Sequence, residues 1–523
     1  MLKILTETYG IDTLQAEVTA MPTLYTALRA RHRPIARVPA RERFRLPAIQ
    51  QRQEELLSVR IPEAAKPRVG QDAIVIGAGF AGLACAYELH HAGYAVTVLE
   101  AQRRLGGRVR SLDDVVHGKN VEGGGELIGS NHPTWNAYAA QFSLNFLDVV
   151  ESSNAPVLLD GRRLTHNQSK KLLAELTEVC NELSDQASTS VPDPSRPWDA
   201  PNALSLDRCS LQDWLSARKC SDRCRLALTT MMETDNGVSA DRQSLLGNLA
   251  MICGGGGRAY WEETELYRCA GGNQQLAQKF AEPLKDRIAF DTQVTRITAL
   301  NGTMRVFAQG KYYEARDVVL AIPPTQWHDI EFEPNLPTGM KRLQMGKNIK
   351  FLMSFETEFW KKDKLSPNRS SDGPVGLTWH STEMQPGRGH AVVGFSGADQ
   401  ANVCSNWKPT KRTAKYISEL RGTYTRIEDT LIDGRLMNWP LDPWVKASYA
   451  FPAPEEITRH GGILYEGIGN LHFVGEHTCY GFIGYMEGAL HSGRKTPGRT
   501  RQPPMILRIT ADASSINSCE RTC

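Results

Sequence analysis

A glycine hexapeptide between an apolar run and a helical pattern constrains this chain more than any other feature. Gly77-Ala78-Gly79-Phe80-Ala81-Gly82 follows Ala73–Ile76, four apolar residues that read as a strand. Leu83–Ala92 come next, with Leu83, Tyr87 and His90 at helical spacing, and Tyr94–Leu99 read as a second strand ended by Glu100. A GxGxxG run alone is a weak signal. Between strand and helix each glycine does something mechanical. One makes a tight turn, one lets a pyrophosphate approach the backbone closely, and one lets the helix pack close on the strand. The phosphates would then meet the positive end of the helix. Glu100 stands 18 residues beyond Gly82, where a carboxylate can accept hydrogen bonds from ribose hydroxyls. A glutamate there argues against a 2′-phosphorylated ligand.

Length and composition set the outer limits. The 523 residues suffice for several domains, at about 100–200 residues each. With 41% hydrophobic and 23% charged residues, neither a collagen nor a wholly disordered chain fits. Lys+Arg 61 against Asp+Glu 58 is too balanced to make nucleic acid the main partner. No apolar run approaches the roughly 18 residues of a membrane span. Eleven cysteines, an odd number without paired CxxC spacing, read as free thiols of a reducing compartment, and no metal site is expected. The first residues lack an apolar signal core and a twin-arginine start, so the expected location is cytoplasmic.

Residues 1–70 read as a separate extension. Met1–Leu28 suit one or two short amphipathic helices, and no acidic residue stands between Arg29 and Arg41. That basic stretch suits a surface-wrapping arm, or contact with a membrane surface, a nucleic acid or another subunit. Val191–Pro201, Gly254–Gly257, Ser366–Gly373 and Thr382–Gly389 read as loops or breaks. Near the end, Thr496-Pro497-Gly498 is expected to cut a helix and leave residues 497–523 as a tail.

The next motif narrows the ligand. In Glu100-Ala101-Gln102-Arg103-Arg104-Leu105-Gly106-Gly107-Arg108, paired glycines bring backbone amides against a ligand, and Arg104 and Arg108 can neutralise phosphate or a polarised ring. This run resembles the EAxxRxGGR segment of the flavin-containing amine oxidase family, which includes monoamine, L-amino-acid and polyamine oxidases. The resemblance extends over most of residues 70–495 and implies FAD as cofactor. It implies contacts to FAD from Gly77, Gly79, Phe80, Ala81, Gly82, Glu100, Ala101, Arg104, Gly107 and Arg108. Val121–Glu126 resembles the small-residue segment along the flavin ring, giving Gly124, Gly125 and Glu126. Arg268–Leu276 resembles the family's GGxxxL helix start, and the backbone at Val294 corresponds to the adenine contact. Asp317–Pro324 resembles the strand that returns to the dinucleotide domain.

Three further segments bear on the reaction. Lys350, at the head of KFLMSFETEFW, matches a lysine that in monoamine oxidases holds a water against flavin N5; a positive charge there would also raise the oxidising power of the flavin. Gly475-Glu476 resembles the turn at the flavin ribityl or phosphate. Gly484–Ala489, with Met486, resembles the start of the helix facing the pyrimidine edge, where a helix dipole favours reduction. Tyr485 and Tyr449 match the two walls of the aromatic cage that orients the amine.

Departures from the pattern matter too. Ser448 replaces the cysteine that carries flavin covalently in some monoamine oxidases, so non-covalent FAD is expected. No apolar anchor of the mitochondrial outer-membrane kind is read in the last residues, so attachment to that membrane is not expected. Glu126-Leu127 stand where animal-type L-amino-acid oxidases place an arginine for the substrate carboxylate. Glu126 either attracts a second positive group on the substrate, or is structural and bonded to backbone amides.

The expected fold is α/β. A Rossmann-like FAD domain from 71–148, 262–338 and 436–496, with a parallel sheet and helices, would face a mixed-sheet substrate domain from 149–261 and 339–435. The expected reaction converts the amine of an L-amino acid, a basic one such as arginine or lysine included, to an imine. The imine hydrolyses to a 2-oxo acid and ammonia, and dioxygen becomes hydrogen peroxide. The GEHT turn at Gly475–Thr478 tips the reading toward amino acids. The alternative is a monoamine or polyamine oxidase acting on an amine without a carboxylate. A flavin desaturase, a non-catalytic flavoprotein and a quinone acceptor stay open, and the resemblance allows a homodimer.

Overall fold

The structure is a computed structural model that describes residues 71–149 and 154–499, the side chains of 497–499 excepted. The basic extension and nearly all of the expected tail lie outside the described residues.

Strand β1 (Asp72–Ile76) is the centre of a five-stranded sheet. Ala73–Ile76 are all buried, as expected of a strand covered on both faces, and this explains the unbroken apolar run. Helix α1 (Phe80–His91) and strand β2 (Ala95–Leu99) complete the first crossover. β1 pairs in parallel with β2 and with Asp317–Leu320; Leu471–Phe473 and Ile288–Ala289 add the two edges, also in parallel. The helix therefore begins three residues before the expected Leu83. Extended Gly79 (φ −77°, ψ 178°) serves as its N-cap, and Phe80, Ala81 and Gly82 form its first turn.

A long C-terminal helix, Met486–Arg499, lies across α1. The two approach at backbone level: a Cβ on Gly493 would stand 2.3 Å from the Ala81 carbonyl oxygen. Thr496-Pro497-Gly498 does not break this helix, contrary to the sequence reading. Thr496 is fully buried and its hydroxyl donates back to the Ser492 carbonyl, so packing carries the helix past the breaker residues.

The second layer is a seven-stranded mixed sheet ordered Leu431–Met437, Asn348–Phe355, His390–Gly397, Leu377–His380, Arg369–Ser371, Val157–Leu159, Arg162–Arg163. Two corrections arise here. Arg369–Ser371 is a strand inside the stretch read as a loop, its polar residues buried; Arg369, for example, donates to the Val375 carbonyl and the Thr423 hydroxyl. Leu431–Met437 also runs across the limit expected at residue 435. Helices His166–Ser190, Asp222–Asn236 and Leu245–Gly254 pack through a separate apolar cluster beside this sheet. The first is entered through a capping box, Thr165 and Gln168 exchanging side-chain and backbone bonds. None of the nine described cysteines forms a disulfide. Among the described residues no helix is long and apolar enough to cross a membrane.

Candidate active site

Two cavities meet where the two sheets face each other. The first, with about 1260 Å³ of empty space including its open mouth, runs along the C-terminal ends of β1 and β2. The second, of about 1310 Å³ counted in the same way, lies beneath the seven-stranded sheet. Arg108, Gly125, Ser448, Tyr449, Gly484, Tyr485 and Met486 line both.

The first cavity has the form of a dinucleotide cradle. Gly77 has φ +104°, and a side chain there would collide with Ile322 and the Ala321 carbonyl at 2.8 and 2.9 Å. A Cβ on Gly107 would meet the Cα of Gly79 at 3.1 Å, so the two glycine turns touch through their backbones. Helix α1 starts against this cavity at Gly79, Phe80 and Ala81 with no side-chain cap and no acidic residue in its first turn. Its leading amides are therefore available to an anion. Ala78 and Gln102 donate their backbone N–H groups to Glu100 at 2.6 and 2.8 Å. Burial raises the carboxyl above its ordinary value, these amides working against that rise. Ala101 and Val294 line the same end, and Gly475 and Glu476 line the cavity too. A pyrophosphate with a ribose at the carboxylate fits these residues.

Two expected contacts are used differently. Gly82 does not line the cavity; it lets α1 sit against β1, since its Cβ would lie 2.0 Å from the Gly77 carbonyl oxygen. Arg104 also stands back, donating to the Gly107 carbonyl at 2.7 Å with its guanidinium over the Trp439 ring, and so shapes the glycine turn from behind. Arg108 reaches the junction, where it donates to Glu476 at 2.6 Å and to the Ser448 carbonyl at 2.9 Å. Glu476 in turn accepts from the backbone amides of Ala450 and Gly484. One carboxylate thus ties together the segments that carry the two tyrosines.

Tyr449 and Tyr485 both face the cavities from either side of Gly484, whose φ of +81° leaves room for the Tyr449 ring: a Cβ there would lie 3.1 Å from it. The Tyr449 hydroxyl donates to the Asp235 carbonyl, and the Tyr485 and Tyr260 hydroxyls share a hydrogen bond of 3.1 Å. Burial pushes both phenols well above the usual range, so they are neutral rings held by their hydroxyls. The helix starting at Met486 brings its N-terminus to the same junction.

Gly124, Glu126 and Lys350 line the second cavity. A Cβ on Gly124 would stand 1.9 Å from the Arg108 carbonyl oxygen, which explains a glycine there. Glu126 is not bonded to backbone amides, nor is it free to meet a substrate cation. Arg268 and Trp379 donate to one of its oxygens at 2.8 and 2.9 Å, and Lys350 to the other at 2.7 Å. Burial opposes its ionisation, but Lys350 and Arg268 together outweigh burial and hold the carboxyl below its ordinary value. Lys350 also donates to the Glu122 carbonyl at 3.3 Å, which accounts for two of its three donors. Arg268 reaches Glu383 and the His380 carbonyl.

Sequence reasoning missed two residues of this cavity, Asp235 and Glu265. Neither carboxylate has a hydrogen bond or ion pair among the described residues. Burial pushes Asp235 up to about 7. Glu265 is raised well above its ordinary range by burial first, with the charges of Asp235 and Glu126 adding to it. The two cations lining the cavity, Arg108 and Lys350, are already paired with Glu476 and Glu126.

A dinucleotide cradle that opens onto a second, aromatic-walled cavity defines the class of flavin-dependent oxidoreductases. Residues 80–496 match the family model described as flavin containing amine oxidoreductase, and the chain belongs to that family, whose cofactor is FAD. It is 28% identical to a flavin-containing amine oxidase of Danio rerio, covering 81% of this chain and 84% of that one. With the flavin-containing amine oxidase B of Homo sapiens it shares 26% identity, over 81% of this chain and 85% of the relative. Among solved structures, cyclohexylamine oxidase from Brevibacterium oxydans superposes with a TM-score of 0.74 at 24% identity, over 82% of this chain and 98% of that one. A putrescine oxidase bound to putrescine gives 0.74 at 23% identity with the same coverage, a likeness of fold.

Proposed function

We propose that the chain oxidises an amine that carries no carboxylate and does carry a second positive group. One observation carries this reading: the second cavity holds two unpartnered carboxylates, Asp235 and Glu265, and no unpartnered cation among its described residues. A substrate carboxylate entering there would find no unpaired cation among the described residues, whereas an ammonium would favour the ionised form of the buried Asp235. No unpaired arginine or lysine among the described residues of this cavity supports the amino-acid reading of the GEHT turn. The names of the relatives, amine, cyclohexylamine and putrescine oxidases, lean the same way.

In this reading the reacting amine lies between Tyr449 and Tyr485 in its neutral form, oriented by the two ring faces. FAD, held without a covalent link, would supply the two-electron acceptor, with dioxygen as the final oxidant. Lys350, fixed by Glu126 and the Glu122 carbonyl, keeps a third donor that would hold a water beside the reacting amine. The hydroxyl anchors on Tyr449 and Tyr485 keep the rings from rotating out of the cage. The amine leaves as an imine, which hydrolyses to a carbonyl compound and ammonia or a smaller amine.

The test is anaerobic bleaching of the purified, FAD-loaded protein by putrescine and spermidine, by benzylamine, and by L-arginine and L-lysine. Diamines and polyamines should bleach the flavin band most efficiently, benzylamine less, and the amino acids poorly. Bleaching by amino acids alone overturns the reading.

Asp235 also sets a pH dependence. Burial raises its carboxyl to about 7, and an ammonium is attracted only by the ionised form. The kcat/KM for a diamine should therefore rise as pH rises through about 7, on top of the substrate's own ionisation. Asp235→Asn should remove that limb and raise the diamine KM roughly tenfold or more, an effect worth about 1.4 kcal/mol per decade, while a monoamine is little changed. An equal loss for both substrates would assign Asp235 to the fold instead.

A further inference from the structure

Away from the cavities, three side chains of the seven-stranded sheet converge. His380 ends the strand Leu377–His380 and His390 opens its antiparallel neighbour His390–Gly397. His380 pairs with Val392, so His390 is its diagonal neighbour two positions on and projects from the same face. Phe355 pairs with His390 on the other side, and three residues later the chain presents Glu358. One ligand atom from each of Glu358, His380 and His390 lies within 4.8 Å of the others. His380 Nε2 and His390 Nδ1 are 3.3 Å apart, and the Trp360 ring packs edge-on against both imidazoles.

We propose that Glu358, His380 and His390 form a three-ligand site for a divalent transition metal of zinc's class, with water in the fourth position. The distance between the two imidazole nitrogens carries much of the argument. Two nitrogens at about 2.0–2.1 Å from a tetrahedral zinc are themselves separated by about 3.3–3.4 Å. The nitrogens already stand at chelating separation, and the rings need only turn from facing each other to facing a shared point, exchanging one hydrogen bond for two coordinate bonds. Two imidazoles and one carboxylate select zinc, nickel or copper over magnesium or calcium. His390 and Glu358 are partly exposed, which gives an ion its way in.

Two lysines oppose the ion. Lys361 holds Glu358 at 2.5 Å and must release it, and Lys119, bonded to the Gly389 carbonyl, adds a second positive charge nearby. Thr382 contacts His380 Nε2 at 3.2 Å and must also give way. Lys361 is thus the competitor for the carboxylate, and its removal should tighten binding.

The site stands on the far side of its strand from the cavity. Strand alternation points Trp379 at Glu126 and His380 the opposite way, while the His380 carbonyl accepts from Arg268. An ion there would stiffen the strand that supports the Glu126 cluster.

The experiment uses the FAD-loaded full chain, stripped by a chelator and titrated with Zn²⁺ by calorimetry, with zinc-edge X-ray absorption on the loaded protein. Expected are one zinc per chain and a first shell of nitrogen and oxygen at about 2.0–2.1 Å, without the sulfur shell near 2.3 Å that cysteine ligands would give. His390→Gln and Glu358→Gln should each weaken binding roughly tenfold or more, and Lys361→Ala should strengthen it. Because His390 and Glu358 lie outside the catalytic cavity, both variants should keep amine oxidation, which shows that they fold. Zinc uptake unchanged in the H390Q/E358Q double variant, a sulfur shell, or no uptake by the wild-type chain each overturns the site.

Discussion

Glu126→Gln should cost roughly 3–5 kcal/mol of stability and abolish most amine oxidation, although the change removes only one charge and keeps the shape. Arg268 and Lys350 both end on this carboxylate, at 2.8 and 2.7 Å, and the three side chains are almost completely buried. Their charges cancel once the Arg268–Glu383 contact is counted. Glutamine leaves Arg268 and Lys350 with only the Glu383 charge and one partial dipole to offset them, and the uncompensated positive charge dominates the cost. Lys350 would also lose the anchor that directs its remaining donor.

The pH sign follows from the same cluster. The folded-state pKa of Glu126 lies below its ordinary 4.5, so its stabilisation is present above that value and is lost as pH falls through the folded value. The variant should lack this acid-dependent loss while being weaker at neutral pH. Urea unfolding of both proteins at neutral and acidic pH checks it; equal stability at neutral pH would show that the cluster contributes nothing.

Gly82→Ala should yield a chain that fails to retain FAD. The added Cβ would fall 2.0 Å from the Gly77 carbonyl oxygen and 3.0 Å from the Ala321 side chain, neither of which can swing away. Helix α1 must then lift from β1, carrying its uncapped N-terminus out of line with the cradle. The α1 surface that packs on Met486–Arg499 would shift with it, since Gly493 touches the Ala81 backbone. The ratio of flavin to protein absorbance after gel filtration measures this directly, and near-stoichiometric flavin in the variant would refute it. Gly118→Ala is the control, because nothing lies within 4 Å of its Cβ direction and only the positive φ is strained.

These two positions also mark how far the sequence can be read. Gly77, Gly79, Gly82 and Glu100 are legible because their work is local: a turn, a helix start and the end of the next strand lie within one βαβ unit. Lys350 is legible as a charged residue just before the apolar run Phe351–Met353 of its strand. The use of Glu126 is not, since its partners Arg268 and Lys350 are 142 and 224 residues away and no spacing rule joins them. Asp235, next to last in the helix Asp222–Asn236, looks like any polar helix end. Only the tertiary enclosure that strips its water sets it apart. The helix around Thr496 misleads for the converse reason, a local breaker signal overruled by packing against α1.

The parallel sheet has a consequence for how the chain comes into being. Its order places Leu471–Phe473, the last strand described, beside Asp317–Leu320, with β1 next in line. During synthesis about four hundred residues must leave the ribosome after β1 before that edge can close, and the α1-covering helix emerges later still. Pairings so distant in sequence form slowly, and until they form the Asp317–Leu320 edge is open to other chains. Yield in a heterologous host should therefore depend more on chaperone supply and translation speed than on the stability of the finished protein.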